Sequence, residues 1–187
     1  MLRFVLPLLL SSQVLAADVR LPNIVLFYID DMGWGEIGPF GHPENRTPHL
    51  DRMAAEGLCL RRYYTSNTAC TPSRAALLTG TYAGRIGMDG QVHFPGEPWG
   101  LNPDEITIAE MLAEQGYATG CFGKWHLGDQ PEFLPLAQGF DRYFGIPYSN
   151  DMWPGNKKGN RIAVDGVRPP YTPLPVVSQD ESVAHVA

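Results

Sequence analysis

The sequence predicts an α/β protein with a mainly parallel sheet flanked by helices. Residues 23–29 form a continuous apolar run that ends in Asp30-Asp31. That is the pattern of a buried parallel strand delivering polar groups at its carboxyl edge. Further along, strand-like runs alternate with stretches of helical periodicity, as layered α/β folds require. Helix starts and stops carry their usual punctuation, Thr47-Pro48 before one helix and Gly80 after another.

Taken in order, Thr47 is the expected N-cap of a helix that Pro48 opens. Leu50, Met53 and Ala54 share one face, and Gly57 ends the helix as a C′ residue. Residues 58–64 read as a strand. After Cys70, residues 72–78 are helical in character and stop at Gly80. Residues 106–115 form an amphipathic helix with Ile108, Met111 and Leu112 on one side, ended by Gly116. Residues 117–122 then make a strand that runs into Gly123-Lys124-Trp125-His126. Beyond Pro147 the periodicity fades, with a turn at residues 156–160 and an extended loop at residues 169–175.

A chain of 187 residues is long enough to bury a sizeable core, and 44% hydrophobic with 18% charged residues is globular composition. A net charge of −6 argues against a nucleic-acid binder, which needs a concentrated basic face. It leaves room for a small basic pocket that takes an anion. Arg3, the apolar stretch 4–10 and Val14-Leu15-Ala16 read as a signal peptide over residues 1–16, leaving 17–187 as the mature chain. The stretch is too short and too interrupted to span a bilayer, and nothing later replaces it. An exported chain, periplasmic, secreted or lysosomal, is expected.

Three cysteines in an oxidising compartment cannot all pair within one chain. Cys59 and Cys121 lie in apolar surroundings that suit inert buried thiols. Cys70 differs, with polar neighbours and a place just before a helix. Unpaired N–H groups and the positive end of the helix dipole favour an anion there, and Arg74 one turn on adds a fork-shaped charge suited to an oxyanion. Asp30-Asp31 and Lys124-Trp125-His126 stand at strand ends, where open α/β sheets gather ligands. Adjacent carboxylates repel unless a cation joins them, so Asp30 and Asp31 make a candidate hard-metal site, although a lone pair is more often a cap or turn. Among the other histidines, His42, His49, His93 and His185 suit surface or packing roles, and His93 alone stands in a loop that could border the pocket. Tyr63, Tyr64 and Trp99 are expected to pack. Asn45-Arg46-Thr47 has the form of a glycosylation sequon.

Four ordered motifs carry a resemblance to type I sulfatases. Cys70-Thr71-Pro72-Ser73-Arg74, with Leu78-Thr79-Gly80 after it, is similar to the family's Cys-x-Pro-x-Arg signature. Residues 116–126 resemble its second signature, with Phe122 bulkier than usual. Residues 22–33 resemble the opening strand and metal loop, and Thr47-Pro48-His49-Leu50-Asp51 the helix start that follows, with His49 in the usual Asn place. Gly145-Ile146-Pro147-Tyr148-Ser149 points to the arylsulfatase A-like branch.

The resemblance implies an alkaline-phosphatase-like sulfatase fold and a sulfuric ester hydrolase. Cys70 would be converted to formylglycine (3-oxoalanine) by a formylglycine-generating enzyme, and its hydrate would attack sulfur with one oxygen while the twin oxygen expels sulfate. Arg74 would hold the hydrate, His126 would bond it, and Lys124 and Ser149 would contact the sulfate ester. Asp30 and Asp31, joined by the modified Cys70, would bind Ca²⁺. The family's later metal ligands, a second His and a late Lys have no counterpart here, so the sequence resembles the N-terminal portion of a sulfatase, apparently truncated. Low activity is expected of such a chain. A non-catalytic anion-binding relative is the alternative. A phosphodiesterase of the same superfamily fits less well, because those enzymes use Ser or Thr where Cys70 stands.

Overall fold

The structure is a computed structural model that describes residues 21–90, 92–152, 176–180 and 183–186. The signal segment, the 156–160 turn, the 169–175 loop and Trp153 lie outside the described residues, as does the side chain of His185.

Among the described residues three α-helices and four strands frame the fold: α1 (Pro48–Glu56), α2 (Cys70–Thr79), α3 (Ile108–Ala113), β1 (Gly120–Lys124), β2 (Arg142–Ile146), β3 (Val177–Asp180) and β4 (Val183–Val186). The sheet order is β1-β2-β3-β4. The expected α/β layering is present. The sheet is mixed among the described residues, with β1 and β2 parallel and the next two pairs antiparallel. Parallel pairing puts Lys124 beside Ile146, so both strands end at one edge. A Cβ on Gly145 would run into the carbonyl of Gly123, so the close approach of these two strands requires glycine there.

Two expected strands are corrected. Residues 23–29 enter no ladder among the described residues, and Phe27 is 76% exposed. A strand needs a partner's N–H and C=O groups, and this segment stands off β1 across a cavity of about 430 Å³ lined by Leu26, Tyr28, Leu77 and Leu112. Tyr117 Oη still ties it down by donating to the Pro22 carbonyl at 2.8 Å. Residues 58–64 likewise pair with no strand among the described residues, and Tyr63 and Tyr64 are exposed where packing was expected.

The helices are closer to expectation. α2 starts at Cys70, two residues before the expected 72, and Gly80 caps it after Thr79 with a φ of 64° that suits a residue without Cβ. Gly57 ends α1 in an extended conformation and not as a left-handed C′ residue, donating its N–H to Met53 O. α3 is shorter than predicted because Thr107 and Glu110 form a reciprocal capping box that sets its start. Its inward face is Ala109 with Ile108 and Leu112 half-buried, whereas Met111 turns to solvent.

The main core joins Ala75 of α2, Leu101, Trp125, Leu127, Tyr143 of β2 and Val177 of β3, with Cys121 and Trp99 packed against it. This core sits directly behind the carboxyl edge of β1 and fixes the backbone on both sides of His126.

Candidate active site

α2 presents Cys70 as its first helical residue. The N-cap is Ala69, which supplies no side-chain acceptor, so the N-terminal N–H groups are left for another partner. Asn67 shapes the approach by accepting the Ala69 N–H at 3.1 Å, and its carbonyl accepts the Ser73 hydroxyl at 2.6 Å.

Lys124, the last residue of β1, reaches the same point from the sheet. Its Nζ lies 2.6 Å from Asp30 Oδ2, 3.4 Å from Cys70 Sγ and 3.2 Å from Ser149 Oγ. Arg74 donates to the Lys124 carbonyl through one NH group and to Asp30 Oδ2 at 3.3 Å through the other. Its guanidinium also lies 5.2 Å above the Tyr28 ring. Burial pushes the Asp30 carboxyl up, but Lys124 and Arg74 outweigh it and hold the group below the usual carboxylate range. Two cations therefore share one carboxylate beside a thiol, which leaves local positive charge for an anionic ligand.

His126 follows on the same segment and is fully buried with φ 63°. Such a backbone costs roughly 1–3 kcal/mol and persists only when it is held from several sides. Here its N–H donates to Pro147 O at 2.9 Å, its carbonyl accepts the Thr71 hydroxyl at 2.9 Å, and ring Nε2 lies 2.8 Å from His93 O. A carbonyl oxygen only accepts, so Nε2 carries the proton and Nδ1 keeps its lone pair. Burial, with the Lys124 charge behind it, pushes the His126 pKa down to about 4, so the ring is neutral at neutral pH.

Asp30, Cys70, Arg74, Lys124 and Ser149 thus meet in one cluster, and His126 is linked to it through Thr71. Asp31 has a left-handed backbone, φ 56°, and makes no hydrogen bond or ion pair among the described residues. Oxygen donors suit a hard cation, but these two carboxylates fall short of the roughly 6–8 oxygens of a calcium shell. No cluster of three or more His, Cys, Asp or Glu arranged for a metal occurs among the described residues.

The remaining expectations divide. All three cysteines are free, and burial raises the Cys121 pKa to about 11, which fits an inert thiol. His42 organises its own turn, accepting from the Glu44 and Asn45 N–H groups. His93 is fully buried at the site's rear wall. Thr71, Asp129 and Glu97 belong to the same wall; Thr71 lies inside the Cys70–Arg74 motif, whereas the sequence reading passed over Asp129 and Glu97.

A thiol at a helix N-terminus, faced by lysine and arginine at the edge of a parallel strand pair, defines an anion-handling α/β site. The Sulfatase family profile matches residues 22–170. Human arylsulfatase A is 52% identical over 149 residues, covering 79% of this chain and 29% of that protein. Rat N-acetylgalactosamine-6-sulfatase is 45% identical over 153 residues, covering 78% of this chain and 29% of its own length. The crystal structure of the PsFucS1 sulfatase from Pseudoalteromonas sp. superposes with a TM-score of 0.59 at 36% identity, covering 66% of this chain and 25% of that one. The chain belongs to the sulfatase family and has its alkaline-phosphatase-like fold. It spans less than a third of the length of these relatives.

Proposed function

We propose that this chain carries the nucleophile-bearing part of a sulfuric ester hydrolase, with Cys70 oxidised to formylglycine by a formylglycine-generating enzyme. The observation that carries the reading is the convergence of Lys124 Nζ on Cys70 Sγ, Ser149 Oγ and Asp30 at the uncapped start of α2. The sulfur marks the place the aldehyde-derived oxygens would take. Once installed, the hydrated aldehyde supplies a nucleophilic oxygen and a second hydroxyl through which the product can leave.

The chain's own residues supply position and charge. Lys124, standing between Cys70 and Ser149, is placed to bind a sulfate oxygen of the ester, and the Ser149 hydroxyl adds a neutral contact. Arg74, fixed by its two hydrogen bonds, keeps a constant positive charge beside Cys70. Neutral His126 offers Nδ1 as a proton acceptor. Asp30 and Asp31 are assigned to a calcium ion whose other oxygens come from outside the described residues.

Residues 1–16 are assigned as a cleaved signal peptide that sends the chain to a periplasmic, secreted or lysosomal destination. No helix among the described residues is long and apolar enough to cross a membrane.

Mass spectrometry of the Cys70 peptide, after co-expression with a formylglycine-generating enzyme, tests the assignment. A mass about 18 Da below that of cysteine supports it. An unmodified thiol in that host would falsify it. Aryl sulfate hydrolysis by the modified 187-residue chain is expected to be weak, because the described residues hold only part of a metal shell.

A further inference from the structure

His93 belongs to none of the sulfatase-like motifs, yet it is among the most deeply buried polar residues, at 0% exposure. Its backbone bridges two parts of the site. The His93 N–H donates to Thr71 Oγ1 at 2.9 Å, and the His93 carbonyl faces His126 Nε2 at 2.8 Å. Thr71 completes the ring by donating its hydroxyl to the His126 carbonyl. Three segments far apart in sequence therefore close one buried hydrogen-bond circuit next to Cys70.

Any residue but proline at position 93 has those two backbone groups. The side chain decides whether they stay in place. His93 Nε2 lies 3.3 Å from Asp129 Oδ1 and Nδ1 lies 3.6 Å from Glu97 Oε2. Each ring nitrogen is thus within reach of a carboxylate oxygen, and the Asp129 contact is the shorter of the two. The Trp99 ring meets the imidazole edge-on, 5.3 Å between centroids, and closes a further side. The carboxylates are fastened in turn: Asp129 accepts the Gly96 N–H at 2.7 Å, and Glu97 accepts the Phe94 N–H at 2.7 Å. Asp129 thus holds loop 93–97 at two points, three residues after His126.

We propose that His93 is a positioning residue, clamped between Asp129 and Glu97, whose carbonyl fixes the His126 proton on Nε2 and thereby keeps Nδ1 as the acceptor. A neutral imidazole can carry its proton on either nitrogen, and the partner of one nitrogen selects the state of the other. If loop 93–97 drifts, the Nε2 proton loses its acceptor and the second tautomer becomes accessible. The catalytic meaning of this clamp rests on the sulfatase reading above. The clamp itself does not, because it involves no atom of Cys70.

The test is ¹⁵N–¹H NMR of the histidine side chains in the full 187-residue chain with Cys70 unmodified, His126 being assigned by loss of its signals in His126→Gln. The wild-type chain should show His126 as a single Nε2–H tautomer. His93→Leu keeps both backbone groups and an apolar side chain of moderate size but removes the ring nitrogens. It should populate both tautomers and speed exchange of the Nε2 proton by about tenfold or more. Asp129→Asn keeps an acceptor for Gly96 and removes the charge, and should move His126 in the same direction. His93→Gln, which can still donate to Asp129, should restore much of the wild-type spectrum. If His93→Leu does not fold, Asp129→Asn carries the test alone. A His126 spectrum unchanged in the folded variants overturns the proposal, since the backbone circuit would then suffice. Failure to find formylglycine at Cys70 would leave this result standing, and loss of the clamp would leave formylglycine formation untouched.

Discussion

Lys124 Nζ lies 3.4 Å from Cys70 Sγ, although 54 residues separate them in the chain. One comes from the end of a strand and the other from the start of a helix, so the pair exists only when sheet and helix dock. The Lys124 charge is already engaged by Asp30, which keeps it aimed at the helix start and not at solvent.

Lys124→Met should therefore act on chemistry more than on folding. In formylglycine-bearing protein, aryl sulfate turnover should fall by about 10²–10³-fold, the usual cost of losing one fixed charge at a reacting oxyanion. Thermal stability should change little, because Arg74 still pairs with Asp30. An unfolding midpoint that drops in step with turnover would count against a direct role.

Thr71→Val should act in the opposite sense. Thr71 is fully buried and its hydroxyl serves both His93 N–H and His126 C=O. Valine keeps the shape and strands two buried polar groups, at about 2–4 kcal/mol. Thr71→Ser keeps both bonds and should cost under about 1.5 kcal/mol. Urea unfolding of the two variants separates these values.

Stability should depend on pH through His126. Its pKa is about 4 when folded against an ordinary value of 6.5, so the unfolded chain binds more protons between those values. The contribution is complete above pH 6.5 and is lost as pH falls through 4, on the order of 3 kcal/mol in all. His126→Gln should flatten the stability profile in that window. Denaturation midpoints at pH 4.5 and 7, chosen inside and above the window, give the comparison.

Phe122 and Phe144 are register partners on β1 and β2 and are 75% and 55% exposed. Together with Phe27 they give the described surface an apolar character that promotes association. Phe122→Gln combined with Phe144→Thr should shift the chain toward monomer in sedimentation velocity at equal concentration. An unchanged distribution would show that another surface drives any self-association.

Local features were legible in the sequence where the physics is local. The end of α2 at Gly80 follows from backbone preferences within a few residues, whereas its start lies two residues before the expected 72, at Cys70. Lys124 and His126 could be placed at a strand end because the apolar run before them is short and a glycine precedes the lysine. The register of strand 117–122 was less clear, since the observed β1 begins three residues later, where its partner β2 begins.

The sequence by itself determined the family, the helix that carries Cys70 and the residues able to handle an anion. Those are properties of neighbouring residues and of motif order. Tertiary structure alone decided that residues 23–29 stand off the sheet, because strand pairing depends on a partner the segment cannot specify. It alone also decided the place of His93, which the sequence could put only in a loop able to border the pocket. Docking of loop 93–97 against Asp129 brings its carbonyl to His126, and that contact selects which nitrogen holds the proton.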